Sequence, residues 1–180
     1  TGKSPAHFTS KADLERLLEI RKQADAILIG RATLEADQMT MTVNGRAPWR
    51  CVISERGRFD ESHPFFHTEG GPRHLIISSA TETPKLPATI HRTDLVGFLS
   101  KLKDNPDITT LLCEGGGSLA RKLFELDLID EIMGMKLEHL EQVINSEECL
   151  DKIRHNQEVF FEQNEFKKLV SILETIVDKY

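Results

Sequence analysis

The sequence predicts an α/β fold, a central sheet flanked by helices, followed by an α-helical C-terminal tail. Three observations carry that reading. Wholly apolar runs such as Ala26-Ile27-Leu28-Ile29 and Leu111-Leu112-Cys113 suit strands buried on both faces. Amphipathic segments alternate with these runs, the pattern of a sheet covered by helices. From Lys136 to the end there is neither glycine nor proline, and apolar residues recur among charges at helical spacing.

The elements follow in order. Ser10 is a suitable N-cap with Asp13 three residues on, and Leu14, Leu17, Leu18 and Arg21 share one face of a helix running to about Gln23. Residues 26–29 form the first strand, which Gly30 ends. Gln38 to Val43 is a loop rich in Met and Thr, Cys51 to Ser54 a second strand, and Arg73 to Ser79 a third. Between the last two, Gly57, Pro64, Gly70, Gly71 and Pro72 mark irregular loop. A short strand near Ala88 to His91, a helix from Leu95 to Lys103, a strand from Thr109 to Cys113 and a helix from Leu119 to Leu126 complete the pattern. In the tail, Leu137, Leu140 and Ile144 keep helical spacing, Asn145 with Glu148 is an N-cap pattern, and Phe166, Leu169, Val170, Leu173, Ile176, Val177 and Tyr180 trace one stripe.

Composition narrows the function classes. The 180 residues are 39% hydrophobic and 29% charged, enough for one core plus an appendage. A net charge of −6 argues against a nucleic-acid surface, which needs clustered Lys and Arg. With no long apolar segment and no signal-like start, the expectation is a cytoplasmic protein with no membrane partner. Cys51, Cys113 and Cys149 are far apart and are read as reduced packing residues. His67-Thr68-Glu69 spells the His-x-Glu of zinc deaminases, but no Pro-Cys-x-x-Cys follows, so no metal is expected. The other histidines lack ligand spacing and are expected on the surface or in packing.

The chemistry concentrates at two glycine turns. In Leu111-Leu112-Cys113-Glu114-Gly115-Gly116-Gly117-Ser118-Leu119, a strand delivers one carboxylate, then glycines, then a helix. Glycines let the backbone approach an anion and take up φ > 0, and the helix's first N–H groups face it. This is a phosphate cradle or a plain strand-to-helix turn. Gly30-Arg31-x-Thr33 places a guanidinium and a hydroxyl just past another strand's carboxyl end, where open α/β sheets bind ligands. The Arg fork suits phosphate, and the Thr hydroxyl can reach a phosphate oxygen or cap the next helix.

Together with Phe8-Thr9-Ser10, Arg50-Cys51-Val52-Ile53-Ser54 and Leu128-Ile129-Asp130-Glu131, these motifs resemble the RibD C-terminal reductase domain family of riboflavin biosynthesis, whose fold is dihydrofolate-reductase-like. The likeness covers about residues 4–133. It implies NADPH-dependent hydride transfer that reduces the ribose side chain of a phosphorylated pyrimidine, and a homodimer. By the same resemblance His7, Arg31, Thr33, Asp37, Ser54, Gly115, Gly116, Gly117, Ser118 and Leu119 bind the cofactor, with Arg31 on the adenosine 2′-phosphate. Arg21, Met41, Arg46 and Glu114 bind the substrate. Arg46, or else Arg50, supplies a phosphate charge where the family often carries an arginine and this chain has Asn44. No general acid is assigned.

The resemblance implies a reductase domain over residues 1–134 that lacks the family's first strand and closing hairpin; residues 135–180, which it does not match, read as a helical tail. The tail stripe is expected to pack on its own domain or on a partner. Two other readings stand beside the reductase: a dihydrofolate-reductase-like pteridine reductase, and a non-enzymatic domain acting through its tail.

Overall fold

The computed structural model describes residues 11–79, 84–115, 117–129, 131–133 and 170–172. They fall into two compact units, Thr1–Leu112 and Cys113–Tyr180. The domain boundary expected at residue 134 lies inside the second unit.

In the first unit, helix α1 (Lys11–Gln23) leads into β1 (Ala26–Gly30), α2 (Arg31–Ala36), β2 (Trp49–Ser54), α3 (Pro64–His67), β3 (Arg73–Ile77), β4 (Thr89–His91), α4 (Leu95–Lys103) and the start of β5 (Leu111–Glu114). The strands form a parallel sheet in the order β4-β3-β2-β1-β5. Register aligns Gly30 with Ile53, Ser54 with Ile77 and Ile76 with His91. Ala26, Ile27, Leu28, Ile29, Cys51, Val52, Leu75 and Ile76 are wholly buried, so the apolar runs form the core. Burying each of the larger side chains stabilises the fold by about 1.5–3 kcal/mol.

Asp25 pins the amino end of β1. Its Oδ2 accepts from the Thr109 N–H at 3.0 Å, the Thr109 hydroxyl at 2.8 Å and the Thr110 N–H at 3.1 Å, while the Thr110 carbonyl accepts from the N–H groups of Asp25 and Ala26. Burial raises its carboxyl pKa, but the hydrogen bonds from Thr109, Thr110 and Arg46 outweigh this and hold it below the usual value.

Two helices exceed the sequence expectation. Gly30 is the N-cap of α2 and offers no side chain, so Thr33 lies inside the helix and does not cap it. In α3, Pro64 occupies the first turn and His63 Nδ1 accepts from the Phe65 N–H, an unusual cap that buries Phe65 and Phe66. Asp94 caps α4, its side chain accepting from the Gly97 N–H at 2.9 Å.

The second unit contains the end of β5, α5 (Gly117–Glu125), β6 (Glu131–Met133) and β7 (Val170–Ile172). Leu119, Ala120, Leu123 and Phe124 form the buried stripe of α5. Asp127 stops the helix in the left-handed region at φ 55, and the Leu128 N–H returns to the Leu123 carbonyl at 3.0 Å. Strands β6 and β7 pair in parallel, Glu131 opposite Val170 and Met133 opposite Ile172.

Strand β7 corrects the expectation of a helix through the 166–180 stripe. Val170-Ser171-Ile172 alternates apolar and polar residues, and the β-branched Val and Ile suit a pleated surface, so period two prevails where both periods fit. The other tail positions, residues 1–10 and Cys149 lie outside the described residues. Cys51 and Cys113 are free and buried as expected; burial pushes both thiols up, that of Cys113 to about 12.

Candidate active site

In the first unit the candidate residues collect at the carboxyl ends of β1 and β2. Because Gly30 lies opposite Ile53, Arg31 and Ser54 follow on adjacent strand ends. Arg31 is the first residue of α2, half-buried, and forms an ion pair with Glu35 one turn on. Both charges oppose the helix dipole, with the cation at the positive end and the carboxylate towards the negative end. The i,i+4 pair adds at most about 0.2–0.5 kcal/mol to the helix, and less in this order of charges. Thr33 and Asp37 lie on the same helix and its C-cap, where the Asp37 N–H donates to the Thr33 carbonyl at 3.0 Å. Ser54 is buried, and its Oγ accepts from the Gly57 N–H at 3.1 Å, which shapes the turn after β2.

Met41 is 2% exposed and adopts φ 55, a left-handed conformation that a non-glycine residue rarely takes. Arg21 lies half-buried on α1. The two arginines expected to replace the family's phosphate contact are engaged elsewhere. Arg46 donates to the Lys22 carbonyl at 2.8 Å and to Asp25 at 3.2 Å, at the amino end of β1 and therefore opposite the carboxyl ends. Arg50 is buried in β2 and donates to the carbonyls of Gly71, Thr40 and Thr68. These hydrogen bonds engage both guanidiniums with the scaffold in this structure.

In the second unit the turn after β5 is built as the motif suggested. Glu114 ends the strand with its side chain buried, and Gly115 follows, buried, at φ 74. Gly117, Ser118 and Leu119 form the first turn of α5; Ser118 is exposed, whereas the Leu119 side chain belongs to the core, leaving its backbone as the part that could meet a ligand. Gly116 and His7 lie outside the described residues. Among the described residues no cluster of three metal-ligating side chains occurs, and no helix is long and apolar enough to cross a membrane.

Sequence reasoning missed two features. Glu35, the partner of Arg31, was legible as an i,i+4 pair. The second is a buried stack: His74 lies on Trp49 with ring centroids 3.9 Å apart, its Nδ1 is 2.9 Å from His91 Nε2, and His91 meets Phe98 edge-on. Nothing local in the sequence joins those four positions.

A parallel sheet with helices against it, carrying Arg31 and Ser54 just past the carboxyl ends of adjacent strands, defines an α/β class. The RibD C-terminal domain family matches residues 1–135, and the chain belongs to that family. A curated relative, the 2,5-diamino-6-ribosylamino-4(3H)-pyrimidinone 5′-phosphate reductase of Methanothermobacter thermautotrophicus, is 26% identical over 73% of this chain and 68% of its own length. Two solved structures share the fold. Acinetobacter baumannii RibD superposes with a TM-score of 0.58 at 21% identity, over 68% of this chain and 37% of its own. The Thermotoga maritima diaminohydroxyphosphoribosylaminopyrimidine deaminase/5-amino-6-(5-phosphoribosylamino)uracil reductase gives 0.58 at 19%, over 66% and 35%. The chain thus spans about a third of those longer proteins, and its fold is dihydrofolate-reductase-like.

Proposed function

We propose that this chain is an NADPH-dependent reductase of a phosphoribosylamino-pyrimidine, converting the ribose side chain to its ribityl form, and that it works as a cytoplasmic homodimer. The observation that carries the reading is the turn at the end of β5, where the buried Glu114 is followed by Gly115 at φ 74 and then by α5. A Cβ at Gly115 would strain that conformation, and its absence leaves the backbone open to a pyrophosphate. The residues present therefore fit a nicotinamide dinucleotide. Membership of the RibD C-terminal domain family and a reductase as curated relative support the oxidoreductase class.

In this reading Gly115, Gly116, Gly117, Ser118 and Leu119 receive the pyrophosphate, and Arg31, Thr33, Asp37, Ser54 and His7 serve the rest of the cofactor. When bound, the cofactor supplies the hydride, while the protein supplies alignment and electrostatics. Glu114, Arg21 and Met41 serve the substrate. Arg21 and Arg46 are the proposed cations for the substrate phosphate.

Calorimetric titration with NADPH and NADH, followed by turnover with the 2,5-diamino and 5-amino-uracil forms of the phosphoribosyl pyrimidine, tests the reading. The expected result is NADPH binding and oxidation with one of the two. A folded protein that binds neither nucleotide refutes it.

A further inference from the structure

The loop between α2 and β2 contains two non-glycine residues in the left-handed region, Gln38 at φ 50 and Met41 at φ 55. Residues in that conformation persist where their surroundings over-determine them, and such places cluster at ligand sites. Several contacts hold this loop. The Met39 N–H donates to the Leu34 carbonyl at 3.1 Å, and the Thr40 and Thr42 hydroxyls meet at 3.1 Å. The Met41 side chain is buried.

The Gln38 side chain donates to the Glu35 carbonyl at 2.9 Å and the Arg46 N–H to the Val43 carbonyl at 3.2 Å, and a further hold comes from Arg50, only 1% exposed. Its Nη1 donates to the Thr40 carbonyl at 3.1 Å and to the Thr68 carbonyl at 3.2 Å, and its Nε donates to the Gly71 carbonyl at 2.8 Å. The guanidinium carbon lies 5.4 Å from the centre of the Phe65 ring. A planar fork is what allows one side chain to serve three carbonyls from two loops. Arg73 shares the Thr68 end, with Nε on the Phe65 carbonyl at 2.7 Å, Nη2 on the Thr68 carbonyl at 2.7 Å and Nη1 on the Pro87 carbonyl at 3.5 Å. The two arginines share the Thr68 acceptor, and of the two Arg50 alone reaches Thr40.

We infer that Arg50 is a positioning residue, tying the Thr40–Met41 corner to the 68–71 loop and so fixing residues 38–43 in the shape that receives the pyrimidine substrate. The substrate half of this inference rests on the proposed reductase reading, in which Met41 touches the pyrimidine. The tie itself rests only on the geometry.

The test compares Arg50→Lys with Arg73→Lys. A lysine ammonium keeps the charge but cannot span the three acceptors. Hydrogen exchange of the amides of residues 39–43, melting temperature, substrate KM and kcat are measured on the full chain. Arg50→Lys should speed exchange in that loop about tenfold and raise substrate KM about tenfold with little change in kcat. Arg73→Lys should lower the melting temperature while leaving loop exchange and KM unmoved. Parallel effects of the two variants, or an unchanged loop in Arg50→Lys, would overturn the inference. If Arg50→Lys does not fold, Gly70→Ala is the second variant, because its Cβ would lie 3.2 Å from both Arg50 Cζ and Thr42 Cγ2 and would displace the same contact with the charge retained. It should change exchange and KM in the same direction, and an unchanged loop there overturns the inference equally. A wild-type protein with no turnover would remove the reductase reading; the exchange comparison alone would then decide whether Arg50 fixes the loop.

Discussion

Acid should weaken this fold through one histidine, and the size of the effect follows from the geometry. His74 is 5% exposed, stacked on Trp49, and hydrogen-bonded to His91 at 2.9 Å, while its Nε2 is buried without a partner. A pair of rings joined through facing nitrogens shares one proton between them, and charging both would set two cations in contact. Burial, and then the charge of His91, press the His74 pKa down to about 4 from its ordinary 6.5. The folded state therefore binds fewer protons than the unfolded chain between those values. Its stability contribution is full above the unfolded pKa of 6.5 and is lost as pH falls to about 4.

By linkage the loss from pH 7 to 4.5 is on the order of 2 kcal/mol, at a slope approaching about 1.4 kcal/mol per unit within the window. His91, itself held low by burial and by Lys101, adds a loss of the same sign. His74→Phe keeps an aromatic ring against Trp49 and removes the titrating nitrogens. Urea unfolding of both proteins at pH 7, 6, 5 and 4.5 and fixed ionic strength isolates the histidine, because the carboxylates titrate alike in each. The wild type should lose about 2 kcal/mol more than the variant across the series. Equal slopes would mean that His74 is not held neutral by its surroundings, and the reasoning would fail.

Arg31→Ala should weaken NADPH binding by about 1.5–3 kcal/mol and leave NADH nearly unchanged, whereas Glu35→Gln, which releases Arg31 from its ion pair, should shift preference towards NADPH; calorimetry with both nucleotides checks this, and equal loss for both on Arg31→Ala refutes the 2′-phosphate role. Gly71→Ala should cost more than about 3 kcal/mol or prevent folding, because its Cβ would stand 1.8 Å from the Pro48 carbonyl oxygen and 2.6 Å from the Ala47 carbonyl carbon, backbone atoms that cannot rotate away. A melting temperature within a degree or so of wild type would show that this close approach is relieved. Ending the chain before Val170 removes the strand paired with β6, so unfolding should become less cooperative and light scattering should reveal association. An unchanged melt and size would mean that the strand contributes nothing.

What was legible in the sequence, and what was not, divides along the range of the interactions concerned. Strands β1, β2, β3 and β5 and helices α1, α4 and α5 announce themselves because their signals are local: an apolar run, a 3-4 stripe, a cap. Helix α3 was hidden because Pro64 reads equally as loop punctuation and as a first helical residue, and its cap is a histidine. Strand β7 was hidden because three residues inside a longer stripe satisfy either period, and its partner lies almost forty positions away.

The site shows the same division more sharply. That Gly115 adopts positive φ, and that Arg31 and Ser54 stand at strand ends, follows from motif and strand direction. Which acceptors hold each arginine does not. Arg46 and Arg50 are equivalent in charge, yet Arg46 is bound to Asp25, which anchors β1 beside Thr109 some eighty residues on, and Arg50 is consumed by carbonyls from two loops. Charge count sets how many cations a chain has, but the acceptors that the fold leaves unsatisfied decide where each one goes. Arg50 illustrates the consequence. A residue first considered as a phosphate ligand is instead the strut beneath the loop that carries Met41, so its substitution should disturb substrate binding without its ever touching substrate.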